Sequence, residues 1–222
     1  MYKRQPLSQS SSSPWPVVLY FANPSTPLVR EAMTRGRLGL IDTPAQGNKY
    51  VPGAAWCADN GCFGKGYPGD DAWLAWLTRR SVDAATCLFA VAPDVVGDAA
   101  ATLARSAPWL PVIRGLGYPA AFVAQDGLEE IAVPWDTFDV LFIGGTTDWK
   151  LGPHARRIAA EAKTHGKWVH MGRVNSWTRL RYAEGIGCDS ADGTYIAFGP
   201  DQNLPKALSW IREVNSQMVL DL

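Results

Sequence analysis

The feature that most constrains this chain is a series of short, mostly apolar runs, each closed by Asp, Asn, Gly or Pro. Pro16–Ala22, Arg37–Asp42, Ala54–Ala58, Cys87–Ala92, Ala120–Ala124, Phe138–Ile143 and Trp168–Met171 are too short for core helices and lack the apolar–polar alternation of a half-exposed strand. They read as strands buried on both faces, as in a parallel sheet covered by helices. Thr194–Phe198 is the remaining apolar piece. Between the runs, Thr26–Arg35, Gly69–Arg80, Gly97–Ser106, His154–Thr164, Asn175–Glu184 and Pro205–Gln217 read as helices. Pro27 and Gly36 punctuate the first, and Trp73, Trp76 and Leu77 give the second an apolar face.

Strand and helix alternation at this density predicts an α/β protein, a single compact (β/α)8 TIM-like barrel over residues 15–222 behind a disordered polar tail at 1–14. An open doubly wound sheet is the alternative. Asn23-Pro24-Ser25-Thr26-Pro27 after the first strand lacks the glycine fingerprint of a dinucleotide site.

With 47% hydrophobic residues in 222, a sizeable core is available. Lys plus Arg equal Asp plus Glu at 21 each, so no global basic field advertises nucleic acid, and such a role has to be argued from a site. Cys57, Cys62, Cys87 and Cys188 form no CxxC pair, and His154, His165 and His170 have no carboxylate or thiol at ligand spacing. No metal or cofactor is expected, and the histidines read as surface or packing residues. Without a signal-like apolar stretch or a run of roughly 18 to 20 apolar residues, the expected location is the cytoplasm, with reduced thiols and no membrane partner.

The polar residues that stand out follow apolar strands: Asp59, Asp94, Gln125, Gly144-Gly145, Met171-Gly172 and, in the acidic stretch Gly187–Gly193, Asp192. Each has a plain structural reading taken singly. Asp59 and Asp94 suit helix caps, Gly144-Gly145 and the acidic stretch suit turns, and Met171 suits the core. In a barrel, however, all of these positions converge on one face, the face on which barrel enzymes act. That convergence points to an enzyme.

The ordered set resembles the guanine transglycosylase superfamily, and most the short phage and bacterial branch that modifies DNA. Asp59-Asn60-Gly61-Cys62-Phe63-Gly64 is similar to that family's Asp-Ser-Gly-Gly/Ala-Phe/Tyr-Gln, and Phe142-Ile143-Gly144-Gly145 to its Ile-Gly-Gly. His170-Met171-Gly172 is similar to its Leu-Met-Gly, and Gly187-Cys188-Asp189-Ser190-Ala191-Asp192 to its Gly-Ile/Val-Asp-x-Phe-Asp. The resemblance spans residues 50–195. Thr146 stands where the family has Leu, Gly64 where it has Gln, and the family's C-terminal zinc module has no counterpart.

The resemblance implies exchange of guanine in DNA for a free 7-deazaguanine, such as the 7-cyano form, through a covalent glycosyl-aspartate. It makes Asp192 the nucleophile, with Asp189 next in line, and Asp59 the proton-transferring acid and base. Asp94, Gln125 and the Gly145 N–H, beside Gly144 and Gly172, would read the guanine edge, and Phe63 and Met171 would sandwich the ring. Lys150, Arg156, Arg157, Arg173 and Arg179 would take the nucleic-acid backbone. A phage-encoded chain would work in host cytoplasm, as a homodimer or with a partner protein. Exchange in tRNA, a non-catalytic guanine-binding or nucleic-acid-binding barrel, and a small-sugar hydrolase or isomerase are the alternatives.

Overall fold

The computed structural model describes residues 18–64 and 66–217, so the tail expected at 1–14 lies outside the described residues. Eight parallel strands close into a barrel in chain order: β1 Leu19–Ala22, β2 Gly39–Asp42, β3 Trp56–Ala58, β4 Cys87–Val91, β5 Ala120–Ala124, β6 Val140–Ile143, β7 Trp168–Met171 and β8 Ser190–Asp192. Outside them lie α1 Pro27–Thr34, α2 Asp70–Arg80, α3 Ala99–Ser106, α4 Trp109–Gly115, α5 Thr147–Lys150, α6 Pro153–Thr164, α7 Trp177–Gly185 and α8 Pro200–Gln217. The expected (β/α)8 barrel is the fold.

The last strand corrects one expectation. Thr194–Phe198 is not a strand but a turn leading to α8, and β8 is the sequence Ser-Ala-Asp. This short piece joins β7 and closes on β1, where Phe21 stands opposite Asp192. After it, the Asn175 carboxamide accepts hydrogen bonds from the N–H groups of Thr194 and Tyr195 and turns the chain away. Helices α4 and α5 were also not expected. Pro111 in α4 lies in its first turn, where a missing N–H breaks no helical bond.

Period-two alternation divides the strands' side chains into two layers. Leu19, Phe21, Ile41, Cys57, Phe89, Val91, Val123, Val140 and Trp168 fill the barrel interior with the half-buried Phe142. Tyr20, Ala22, Leu40, Trp56, Ala90, Phe122, Leu141, Val169 and Met171 face the helices and form the larger outer core with Trp73, Leu77, Ile158 and Leu180. The interior is plugged by aromatic rings in edge-on contact, Phe21 on Phe89 at 5.9 Å and Phe89 on Phe142 at 6.4 Å. Chemistry is thereby confined to the open end above the plug.

Asp189, buried just before β8, shows how helix and sheet are locked. Both its oxygens accept from Lys163 Nζ of α6 at 2.7 Å, and one also accepts the Val169 N–H of β7. It is thus tied to the outer layer and is no reserve nucleophile. Burial pushes its carboxyl pKa up, and the Lys163 contact opposes that rise. Lys163→Met takes the cation from this buried acid and should cost about 1–3 kcal/mol, partial exposure of the lysine tempering the loss. Urea unfolding measures it, and an unchanged midpoint would remove Lys163 from this role.

Candidate active site

The strand ends open into a cavity of about 500 Å³, within the range of small-molecule sites. Asp59, Asp94, Gln125, Gly144, Gly145, Gly172 and Asp192 all line it, together with Phe63, Arg173 and Arg179. Ile41, Val91, Val123 and Phe142 supply its apolar floor. Neither Asp59 nor Asp94 caps a helix. Helix α2 starts after Gly69, and α3 is capped by Asp98, whose carboxylate accepts from Ala101 N–H.

Asp59 directly follows β3, whose ladder continues one step through its N–H to the Asp42 carbonyl. Burial first, and the nearby Asp192 carboxylate second, raise its pKa from 3.8 to about 7; Asp94 adds a smaller push in the same direction. Asp192 ends β8 with its side chain 15% exposed. Its Oδ2 accepts from His170 Nε2 at 2.9 Å, and its Oδ1 receives a long contact of 3.4 Å from the Arg173 N–H. One acid able to hold a proton at neutral pH thus sits within electrostatic reach of a second that is held by a histidine.

Across the cavity, Asp94, Gln125 and Asn60 form a closed network. Asp94 Oδ1 accepts from Asn60 Nδ2 at 2.9 Å, and its Oδ2 from Gln125 Nε2 at 2.6 Å. Gln125 Oε1 accepts the N–H groups of Gly97 and Gly145, each at 2.9 Å. The Gly145 N–H is therefore engaged by Gln125 and does not stand free to read a base. Gly145 has φ +57°, and a Cβ there would strike the Trp149 ring, so a larger residue would displace this donor.

Other expected residues lie elsewhere. Met171 is fully buried among outer-layer residues, because β7 turns Trp168 and His170 inward and Val169 and Met171 outward; Phe142 supplies the apolar wall instead. Lys150 is buried in α5 with Nζ bonded to the Gly172 carbonyl at 2.6 Å, so it contacts no phosphate. Desolvation, followed by the charge of Arg173, lowers its pKa to about 7. Arg156 of α6 lies over the Tyr182 ring of α7, and neither it nor Arg157 lines the cavity. Arg173 turns its guanidinium inward to the carbonyls of Gly144 and Gly145, with a backbone φ of +61° that non-glycine residues seldom adopt. It also lies over the Phe63 ring at 4.2 Å, so one face of that exposed ring is covered. Arg179 lines the cavity and donates to the Arg173 carbonyl.

Asn60 and His170 join the site without a functional role read from the sequence, although His170 is also the packing residue expected. Asn60 was visible as the neighbour of Asp59, but only the fold brings it to Asp94. His170 is completely buried and bonded through both ring nitrogens. His154 lies beside Glu129 and His165 stacks on Trp135. Among the described residues, no three His, Cys, Asp or Glu are grouped to hold a metal ion, and no helix is long and apolar enough to cross a membrane.

No protein-family profile matches the chain, and no curated protein matches it. The barrel is similar to the tryptophan synthase A-subunit of Pyrococcus furiosus, with TM-score 0.54, 11% identity, and 90% of this chain and 97% of that one covered. It is equally similar to KGPDC from Streptococcus mutans, with TM-score 0.54, 9% identity, and 90% and 98% covered. At such identities the likeness shows the fold alone. These findings overturn the expected membership of the guanine transglycosylase superfamily, since the similar barrels belong to other families. The physical reason is that an acid and glycines after short strands are what the rim of many such barrels contains. Any functional reading has to stand on the cavity itself.

The raised pKa of Asp59 makes a prediction. Its neutral form is favoured in the fold and its charged form in the unfolded chain, so its contribution to stability is present below about pH 4 and is lost as pH rises to about 7. Asp59→Asn should gain melting temperature relative to the parent, by more at pH 8 than at pH 4. Equal differences at the two pH values would refute the shift.

Proposed function

We propose that this barrel exchanges guanine at the C1′ of a nucleotide in a nucleic acid for a free 7-deazaguanine base, with retained configuration. The observation that supports this reading is one cavity carrying both a proton-holding acid beside a second carboxylate and a buried carboxylate–carboxamide pair suited to a guanine edge.

Asp192 attacks C1′ and forms an ester bond as the C1′–N9 bond breaks. The electron pair of that bond passes into the purine, and Asp59 supplies the proton that lets the base leave neutral. In the second half, the incoming base gives its N9 proton to Asp59. Its nitrogen then attacks C1′, and Asp192 departs as the carboxylate. Two displacements restore the original configuration, as in retaining glycosidases. Asp59 works as acid and then base, for which a pKa of about 7 is well placed.

Guanine's N1–H and exocyclic amine present two donors to Asp94. Gln125 Nε2 then exchanges its bond to Asp94 for one to O6, while Oε1 stays on Gly97 and Gly145. Adenine would set a bare N1 acceptor against the Asp94 carboxylate and leave buried polar groups unmatched. A base in a duplex has to leave the stack to enter, at a cost of a few kcal/mol. We propose DNA as the polymer; tRNA is the alternative.

The test is incubation with labelled 7-cyano-7-deazaguanine and, in separate reactions, duplex DNA, single-stranded DNA or tRNA, read by nucleoside mass spectrometry. Label is expected in DNA, with a loss of roughly a thousandfold or more in Asp192→Asn. Label in tRNA alone would overturn the polymer. No label and no guanine exchange in any of them would overturn the reaction. The half-reaction that releases guanine should weaken above about pH 7 as Asp59 loses its proton. A release rate that stays flat from pH 6 to 9 would remove Asp59 as the acid.

A further inference from the structure

His170 lies in the barrel interior with no exposure, against the rings of Phe21 at 5.7 Å, Phe89 at 5.0 Å and Phe142 at 4.5 Å. A phenylalanine would suit such surroundings better, because an imidazole buried among aromatic rings is costly unless both nitrogens are bonded. Both are. Nδ1 meets Ser190 Oγ at 2.9 Å, Nε2 meets Asp192 Oδ2 at 2.9 Å, and Ser190 Oγ is 2.8 Å from Trp168 Nε1.

The direction of this chain follows from its two ends. An indole N–H can only donate, so Ser190 Oγ accepts from Trp168. The Asp192 carboxylate can only accept, so Nε2 of His170 carries the imidazole proton and points it at Oδ2. In the neutral ring Nδ1 is then the bare nitrogen, and it takes the serine hydrogen. Every donor in the row has its acceptor, and the row runs one way from Trp168 to the carboxylate.

We propose that His170 is a positioning residue for Asp192, with Trp168 and Ser190 setting the tautomer it needs. The chain fixes the carboxylate by Oδ2 and leaves Oδ1, with its long contact to the Arg173 N–H, as the attacking oxygen. Gly172 and Gly193 make room for this arrangement. A Cβ on Gly172 would crowd Phe142 and Asp192 Oδ2, and one on Gly193 would collide with Asn175 Oδ1, the Tyr20 hydroxyl and the Val174 carbonyl. The inference rests on the base-exchange reading for its kinetic consequence, but not for the tautomer.

His170→Phe keeps the ring and removes the donor. It should lower kcat for base exchange by roughly 10- to 100-fold, while KM for the free base stays within about twofold of the parent. His170→Gln, which keeps an N–H donor, should recover part of the loss. Ser190→Ala should slow the parent by less than His170→Phe does, and add nothing in the His170→Phe background, because it acts through the imidazole. An unchanged kcat in His170→Phe, or losses that multiply in the double variant, would overturn the proposal.

Long-range 15N–1H correlation spectra give a readout independent of activity, with the His170 signals assigned by their loss in His170→Phe. The Nε2–H tautomer is expected in the parent and a mixture in Ser190→Ala. A parent His170 protonated on Nδ1 overturns the relay even if exchange occurs. A parent with the expected tautomer but no exchange activity would instead bring down the base-exchange reading.

Discussion

Barrel closure is the constraint on which the rest depends. The ladder closes only because Ser190–Asp192 pairs on both sides, with β7 and with β1. Once it is closed, each strand has one set of side chains that cannot reach solvent except at the ends. The rings of Phe21, Phe89 and Phe142 stop the interior, and polar groups on the last inward rungs are left to face one another above that plug. Asp59 and Asp192 cannot swing apart as two surface acids would. Their mutual repulsion, added to burial, is what sets the proton affinity of Asp59.

The network of Asp94, Gln125 and Asn60 shows a different response to the same confinement. Asp94 is buried, yet no buried polar side-chain atom of Asp94, Gln125 or Asn60 is unpartnered, since the three bond one another and neighbouring backbone groups. Burying a carboxylate is costly unless it is hydrogen-bonded, and here two side-chain amides do that. The pocket therefore holds these polar groups at its wall without leaving bare groups in the fold.

How much of this was legible follows from which faces of the strands carry information. Seven of the strands could be read because a strand buried on both sides is a continuous apolar run. For the same reason, the phase of their alternation could not be read. In Trp168-Val169-His170-Met171 all four residues are buried, and only closure shows that His170 points inward and Met171 outward. β8 was hidden by its composition, since Ser-Ala-Asp has no apolar signature, and a real turn beyond it looked more strand-like. Lys150 was misplaced because α5 is four residues long and folds its lysine under the loop after β7. The strand-end acids were legible because their positions require only that each strand be found. Descent was not, because short rim motifs record geometry that unrelated barrels share.

Arg173 joins parts of the mouth that are distant in sequence. Its guanidinium holds the carbonyls after β6, its ring contact reaches Phe63 after β3, its N–H approaches the acid ending β8, and its carbonyl receives Arg179 of α7. Loops connected in this way do not fluctuate independently. Displacing this one residue therefore disturbs the segments after β3, β6 and β8 and the start of α7 together, so the mouth has a single point at which four stretches of chain are tied.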